Sequence, residues 1–97
     1  MSERYRLSES AARDLIEIYK QGARDFGEAM ADRYHDELHR TFSFLAMFPD
    51  AGRERLESGR QVRSQPKASH VIVYEIVPDG IRVVRVFHHL QDWQSKF

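Results

Sequence analysis

Residues His70 to Val77 and Ile81 to Phe87 form two runs dense in valine and isoleucine, separated by Pro78-Asp79-Gly80. Side chains branched at Cβ favour extended backbone and pack well on a pleated surface. Proline presets φ for the first turn position and glycine accepts a positive φ, so the two runs predict an antiparallel hairpin. In the first run Ile72, Tyr74 and Ile76 point to one side and Val71 and Val73 to the other. Apolar residues on both sides predict a central strand. Strict alternation in the second run places Ile81, Val83, Arg85 and Phe87 on one face and Arg82, Val84, Val86 and His88 on the other. Each face is then mostly apolar with an arginine set into it.

The rest of the chain supplies what such a hairpin needs to bury itself. Tyr5-Arg6-Leu7 is a short extended opening that ends at Ser8, a residue able to cap a following helix. Ala12, Leu15, Ile16, Tyr19, Ala23 and Phe26 recur at spacings of three and four, the stripe of an amphipathic helix, and Gly27 is placed to end it. A second stripe follows in Ala31, Tyr34, Leu38, Phe42 and Leu45, and Pro49 stops it. So short a connection makes the two helices antiparallel neighbours. Residues 49–59 carry turn residues at both ends with charges between, which predicts a loop with at most one helical turn. Arg60 to Gln65 forms a further strand that Pro66 interrupts. The expected fold is therefore α+β in one domain, residues 1–97. A short N-terminal strand leads into a helical hairpin over about 9–48, then a three-stranded antiparallel meander over about 60–88, with the helices packed on one face of the sheet.

Ninety-seven residues allow one core and no second. Fifteen Lys and Arg balance fifteen Asp and Glu, which argues against a protein that holds nucleic acid by net positive field, so no autonomous sequence-specific nucleic-acid binding is expected. The charge is unevenly placed: residues 1–52 hold seven basic against ten acidic side chains, and residues 53–97 hold eight against five. The basic surplus sits with the hairpin. No apolar run is long enough to cross a bilayer, the opening residues are too charged for a signal peptide, and there is no cysteine, so a cytoplasmic protein without membrane association is expected.

In the order of its elements the chain resembles the ParE branch of the RelE/ParE toxin superfamily. The resemblance rests on Tyr5-Arg6-Leu7-Ser8, on Ala31-Asp32-Arg33-Tyr34 with Leu38, and on Phe48-Pro49 followed by Gly52-Arg53. It continues through Arg63 and Pro66, Ser69-His70-Val71-Ile72-Val73-Tyr74, Asp79-Gly80-Ile81, Arg85-Val86-Phe87-His88 and Asp92, and so covers Tyr5 to Trp93. Lys67-Ala68 stands where that family usually has glycine, Gln65 where it commonly has an apolar residue, and Glu75 where a basic one often follows the tyrosine. The resemblance implies the toxin of a type II toxin–antitoxin pair, also described as a plasmid-stabilisation protein, held inactive by a ParD-like antitoxin. ParE-branch proteins act on DNA gyrase, whereas RelE-like relatives cleave messenger RNA on the ribosome.

The residues bear on that choice. Cleaving RNA needs help for the 2′-hydroxyl, an acid for the leaving oxygen and cations for the phosphorane. Arg63, Arg85 and His88 supply cations and an acid if neighbouring strands bring them together, and Glu57 or Glu75 is available as a base, with no spacing that demands either. Only three lysines occur, Lys20, Lys67 and Lys96, so the lysine cluster of the ribosome-dependent relatives is missing. The favoured reading is a gyrase inhibitor that acts by binding, with the endoribonuclease as alternative. The expected target or antitoxin surface comprises Arg63, Arg82, Arg85, His88, His89, Asp92 and Trp93. Arg63 and Arg85 have an equally good architectural reading, with guanidinium groups paired to Asp92 or to main-chain carbonyls. Tyr34 and Tyr74 read as core rings with surface hydroxyls. His88 and His89 are expected on opposite sides of a strand end, so that at most one joins a given site. Trp93 and Phe97 either fold back on the hairpin or await a partner. His35 and His39 are four apart on a helix, a metal-compatible spacing, but with no cysteine and no evident third ligand a solvated helix flank explains them better. No cofactor is expected.

Overall fold

The structure, a computed structural model, describes residues 4–57 and 59–96. Strand β1 (Tyr5–Leu7) leads into helices α1 (Glu9–Phe26) and α2 (Glu28–Met47), and a 3-10 turn (Pro49–Ala51) follows. Strands β2 (Arg53–Glu57), β3 (Arg60–Lys67), β4 (His70–Val77) and β5 (Gly80–His88) come next, and a second 3-10 turn (Trp93–Lys96) closes the described chain. The five strands lie in the order β1-β5-β4-β3-β2. β2 to β5 form an antiparallel meander, while β1 pairs parallel to β5, with Tyr5 opposite Ile81 and Leu7 opposite Val83. The sheet is thus mixed, and its central strand is β4, as the apolar character of both its sides implies.

One strand was not expected. Residues 53–57 pair along their whole length with β3, from Arg53 opposite Ser64 to Glu57 opposite Arg60. Their sequence, Arg-Glu-Arg-Leu-Glu, carries no apolar alternation because this is the sheet edge, away from the core, and Leu56 is left exposed. Ser58 and Phe97 lie outside the described residues.

The first helix is turned relative to the expected stripe. α1 buries Ala11 and Leu15 and packs Ile18 on the core, while Ile16 and Phe26 are more than half exposed. Its start explains the rotation. The Ser8 hydroxyl accepts from the Ala11 amide at 2.9 Å, as an N-cap does, and donates to the Val84 carbonyl at 2.7 Å. One side chain therefore caps the helix and fixes its azimuth on β5. α2 buries Ala31, Leu38, Phe42 and Leu45, the expected stripe. Gly27 serves both helices, accepting the Ala31 amide and donating to the Ala23 carbonyl with φ at 91°, a conformation open to glycine. The turn between β3 and β4 uses Ala68 at φ 52°, a left-handed conformation that favours glycine.

A bulge resets the alternation of β5. Tyr74 pairs with Val83 and Val73 with Arg85, so Val84 is the extra residue. Beyond it the faces exchange: Ile81, Val83 and Val86 join the core under the helices, with Ile72, Tyr74, Leu38, Phe42 and Leu45. Phe87 faces the opposite side, with Val62, Val73 and Trp93. The opposite face is consequently not left open. The chain after β5 folds back and lays Trp93 nearly parallel to the Phe87 ring, centroids 5.9 Å apart and planes 19° apart, with the Arg55 guanidinium 5.2 Å from its ring. Apolar side chains on both faces of β3–β5 require two covers, and the helices supply only one.

Candidate functional site

The residues expected to form one surface are distributed over both faces of the sheet. Arg63 lies opposite Tyr74 and therefore on the helix side, whereas Arg85 lies opposite Val73 on the Trp93 side. β4 separates their strands. The cations expected to meet at a phosphate do not meet.

Arg63 works on the turn at 49–52. Its Nη1 donates to the Gly52 carbonyl at 2.7 Å and to the Asp50 carbonyl at 3.2 Å, and Nη2 sits 3.3 Å from the Asp50 carboxylate. The architectural reading, with main-chain carbonyls as partners, holds for this residue. Tyr74 completes the same turn. Its hydroxyl accepts the Gly52 amide at 2.9 Å and donates to the Pro49 carbonyl at 2.7 Å. The expected surface hydroxyl is in fact within a fully buried side chain, where it serves as internal partner to the backbone groups of the turn.

Arg85 is held by Asp14 of α1 in a two-pronged pair, Nε to Oδ2 at 2.8 Å and Nη2 to Oδ1 at 3.0 Å. Oδ2 also accepts the Val86 amide at 2.9 Å. The partner is thus Asp14 and not Asp92, whose main-chain carbonyl accepts from the amide and the hydroxyl of Ser95. The hydrogen bond to Asp14 raises the Arg85 pKa above its ordinary value, against the opposing effect of burial. The Arg85 guanidinium also lies 4.5 Å from the Phe87 ring. Sequence reasoning passed over Asp14, although one sign was available: an aspartate between Ala11 and Ile18, on the helix face those two residues define. Its effect is to close the edge of β5 that β1 is too short to cover. Ser8 takes the Val84 carbonyl, Asp14 the Val86 amide and Gln91 the His88 amide, the last at 2.8 Å.

Arg82 faces the Trp93 side and pairs with Glu75 across the strands at 3.0 Å; Arg60 reaches the same carboxylate at 3.4 Å. Glu75 is thus the counter-ion of two arginines. Trp93 is buried at 5% exposure and is not part of the free surface.

The histidines gather at one end of the sheet. His70 and His88 are opposite one another with ring centroids 5.6 Å apart, and His88 stacks on His89 at 4.8 Å and 28°. The expected division of His88 from His89 fails because β5 ends at His88, so strand alternation no longer governs His89. The amide and Nδ1 of His89 both lie 2.8 Å from the Ser69 carbonyl. His70 Nδ1 is 2.7 Å from the Tyr34 hydroxyl, which also reaches the Lys67 carbonyl at 3.1 Å. A hydroxyl has one proton. Donated to the carbonyl, it leaves the oxygen to accept from the imidazole, which satisfies both contacts. Tyr34, His70 and His88 line one wall of a cleft of about 450 Å³, with Asp14, Glu17 and Gln21 of α1 on the other.

Burial, and then the proximity of His88 and His89, push the His70 pKa down to about 4. Burial and the Glu37 carboxylate push Tyr34 up to about 12, against a lowering main-chain hydrogen bond. The native state therefore binds fewer protons than the unfolded chain between about pH 4 and His70's ordinary 6.5, and its stability is complete above that window and falls as pH drops through it. The full linkage is about 3 kcal/mol, which solvent around a partly buried ring reduces to about 1–2 kcal/mol. Urea unfolding at pH 7 and pH 4.5 is expected to show that loss, and His70→Gln is expected to flatten it. An unchanged slope in the variant would place the acid sensitivity elsewhere.

A family model described as the ParE toxin of type II toxin-antitoxin system, parDE, matches residues 5–93. The protein named Toxin ParE1 from Mycobacterium tuberculosis (strain H37Rv) is 34% identical over 93 residues, 95% of each chain. Toxin ParE1 from Caulobacter vibrioides is 35% identical over 88 residues, 87% of this chain and 86% of the other. Among solved structures, a chain described as the chromosomal ParDE TA system from P. aeruginosa superposes with a TM-score of 0.75 at 17% identity, covering 89% of this chain and 95% of that one. At that identity the likeness shows the fold. The match across nearly the whole chain and the two relatives above 30% identity together establish that the chain belongs to the ParE toxin family of type II toxin–antitoxin systems.

Proposed function

We propose that this toxin inhibits DNA gyrase by binding it, and that a ParD-like antitoxin neutralises it. The observation that carries the binding reading is the separation of Arg63 from Arg85 on opposite faces of the sheet, each held by a carboxylate. An RNA-cleaving site needs cations converging on one phosphate, and these two converge on nothing in common. Phe44, Met47 and Phe48 at the end of α2 supply surface for a protein partner: all three are about half exposed or more, and the two phenylalanine rings lie 5.2 Å apart. Among the described residues no helix is long and apolar enough to cross a membrane.

Supercoiling of relaxed plasmid by purified gyrase tests the reading. Added toxin is expected to suppress supercoiling or accumulate cleaved DNA after detergent and protease treatment, and prior mixing with the antitoxin is expected to abolish the effect. His88→Ala is expected to retain most of the inhibition, because a binding surface tolerates the loss of one ring. Unimpaired supercoiling by folded toxin, together with loss of toxicity in His88→Ala cells, would favour the endoribonuclease.

A further inference from the structure

The groove between α1 and α2 holds two histidines that lie apart from the residues described above. His35 and His39 lie one turn apart on α2, their ring centroids 4.6 Å apart and their planes 55° apart. Both line a cavity of about 600 Å³ walled by Leu7, Leu15 and Ile16. A metal about 2.1 Å from an imidazole nitrogen is about 3.2 Å from that ring's centroid, so two rings at cis positions of a square-planar or octahedral ion have centroids about 4.5 Å apart, and a tetrahedral ion spreads them to about 5.2 Å. The observed spacing matches the first geometry.

A second residue prepares one of the rings. The Tyr5 hydroxyl lies 2.6 Å from His39 Nδ1, which fixes the ring and leaves Nε2 as its remaining ligand atom. A hydrogen bond at the non-ligating nitrogen is the usual support of a metal-bound histidine. β1 is thereby tied to α2 beside the cavity, and the Tyr5 ring packs edge-on against Phe42 of the core at 5.5 Å. Asp32, one turn before His35, lines the same cavity, with Oδ1 engaged by the Tyr19 hydroxyl at 2.7 Å. Lys20 also lines it and opposes a cation there. Among the described residues no three His, Cys, Asp or Glu side chains are grouped to hold a metal, so two imidazoles provide the protein ligands and water completes the shell.

We propose that His35 and His39 form a two-imidazole site for a divalent transition-metal ion of square-planar or octahedral preference, Ni(II) or Cu(II), with Tyr5 as a positioning residue. Because His35 is exposed and His39 abuts β1 through Tyr5, an ion there bridges successive turns of α2 at the point where the helix meets the sheet edge.

Isothermal titration of tag-free protein with NiCl2, in a buffer that does not chelate, tests the site. One ion per chain is expected, with affinity falling at least tenfold in His35→Gln and in His39→Gln. Tyr5→Phe is expected to weaken binding about tenfold at unchanged stoichiometry, the low end of the effect of removing a supporting hydrogen bond. The double variant His88→Gln/His89→Gln is expected to bind like the parent. On the unmodified protein, Cu(II) is expected to broaden amide resonances around residues 32–39 before those around 70 and 88. Absence of saturable binding, binding indifferent to His35→Gln, or broadening centred on the β4–β5 rim would each overturn the proposal.

Discussion

Asp14→Ala is expected to lower the unfolding free energy by about 3 kcal/mol, the typical result of removing one member of a largely desolvated, hydrogen-bonded charge pair. The Asp14 side chain is 15% exposed and that of Arg85 32%, and three hydrogen bonds converge on the carboxylate. Alanine leaves a guanidinium without its partner and the Val86 amide without an acceptor on the one stretch of β5 that β1 does not cover. Asp14→Asn keeps an acceptor for that amide but not the charge, and is expected to lose about half as much. Combining Asp14→Ala with Arg85→Met is expected to recover part of the loss, since the cost arises mainly from the unpaired cation and not from the pair's net contribution. Urea unfolding of the parent, Asp14→Ala, Arg85→Met and the double variant measures the cycle. A loss below about 1 kcal/mol in Asp14→Ala would mean that the pair behaves as an exposed surface contact.

The second large effect is expected at Tyr74, where replacement by phenylalanine keeps the buried ring and removes only the hydroxyl. The Gly52 amide and the Pro49 carbonyl then lose their partner together, at a cost of about 2 kcal/mol. Position 52 shows how closely this turn is fitted: a Cβ there would collide with the Tyr74 hydroxyl. Arg63 still holds the Gly52 and Asp50 carbonyls in the variant, so the turn is expected to loosen locally before the domain unfolds. Amide hydrogen exchange distinguishes this from a global effect. Exchange at Gly52 is expected to accelerate more than exchange at Val73 or Val83, and equal acceleration at all three would show that the hydroxyl acts on the whole fold. The same loop joins α2 to β2, so the variant separates the turn's stability from that of the sheet.

These two sites also mark the boundary of what residue pattern conveys. The hairpin from His70 to His88 and the extents of both helices were legible because each rests on local chemistry: β-branched runs around Pro78-Asp79-Gly80, apolar spacings of three and four, Gly27 and Pro49 as punctuation. The helix stripe in α2 held because its apolar positions are unambiguous. That in α1 did not, since Ala11, Ala12, Leu15, Ile16 and Ile18 offer two adjacent faces of similar hydrophobicity. The choice between them falls to the Ser8 hydroxyl on the Val84 carbonyl, a contact across 76 residues.

Of the candidate surface, Arg63 and Arg85 were recognisable as arginines set in apolar strands, with an architectural role as one of two readings. Their partners were not recognisable. Asp50 and the Gly52 carbonyl reach Arg63 through a turn whose shape depends on Tyr74, and Asp14 reaches Arg85 only because α1 lies along the uncovered edge of β5. The sequence by itself determined the order of the elements, the central place of β4 and membership in a toxin family, all of which follow from short-range patterns. Tertiary structure alone decided the bulge at Val84, the edge strand at 53–57, the Trp93 cover and the separation of the two arginines. Each of these depends on which backbone edges and apolar faces remain unsatisfied once the helices have docked, a property of the assembled sheet and not of any one segment.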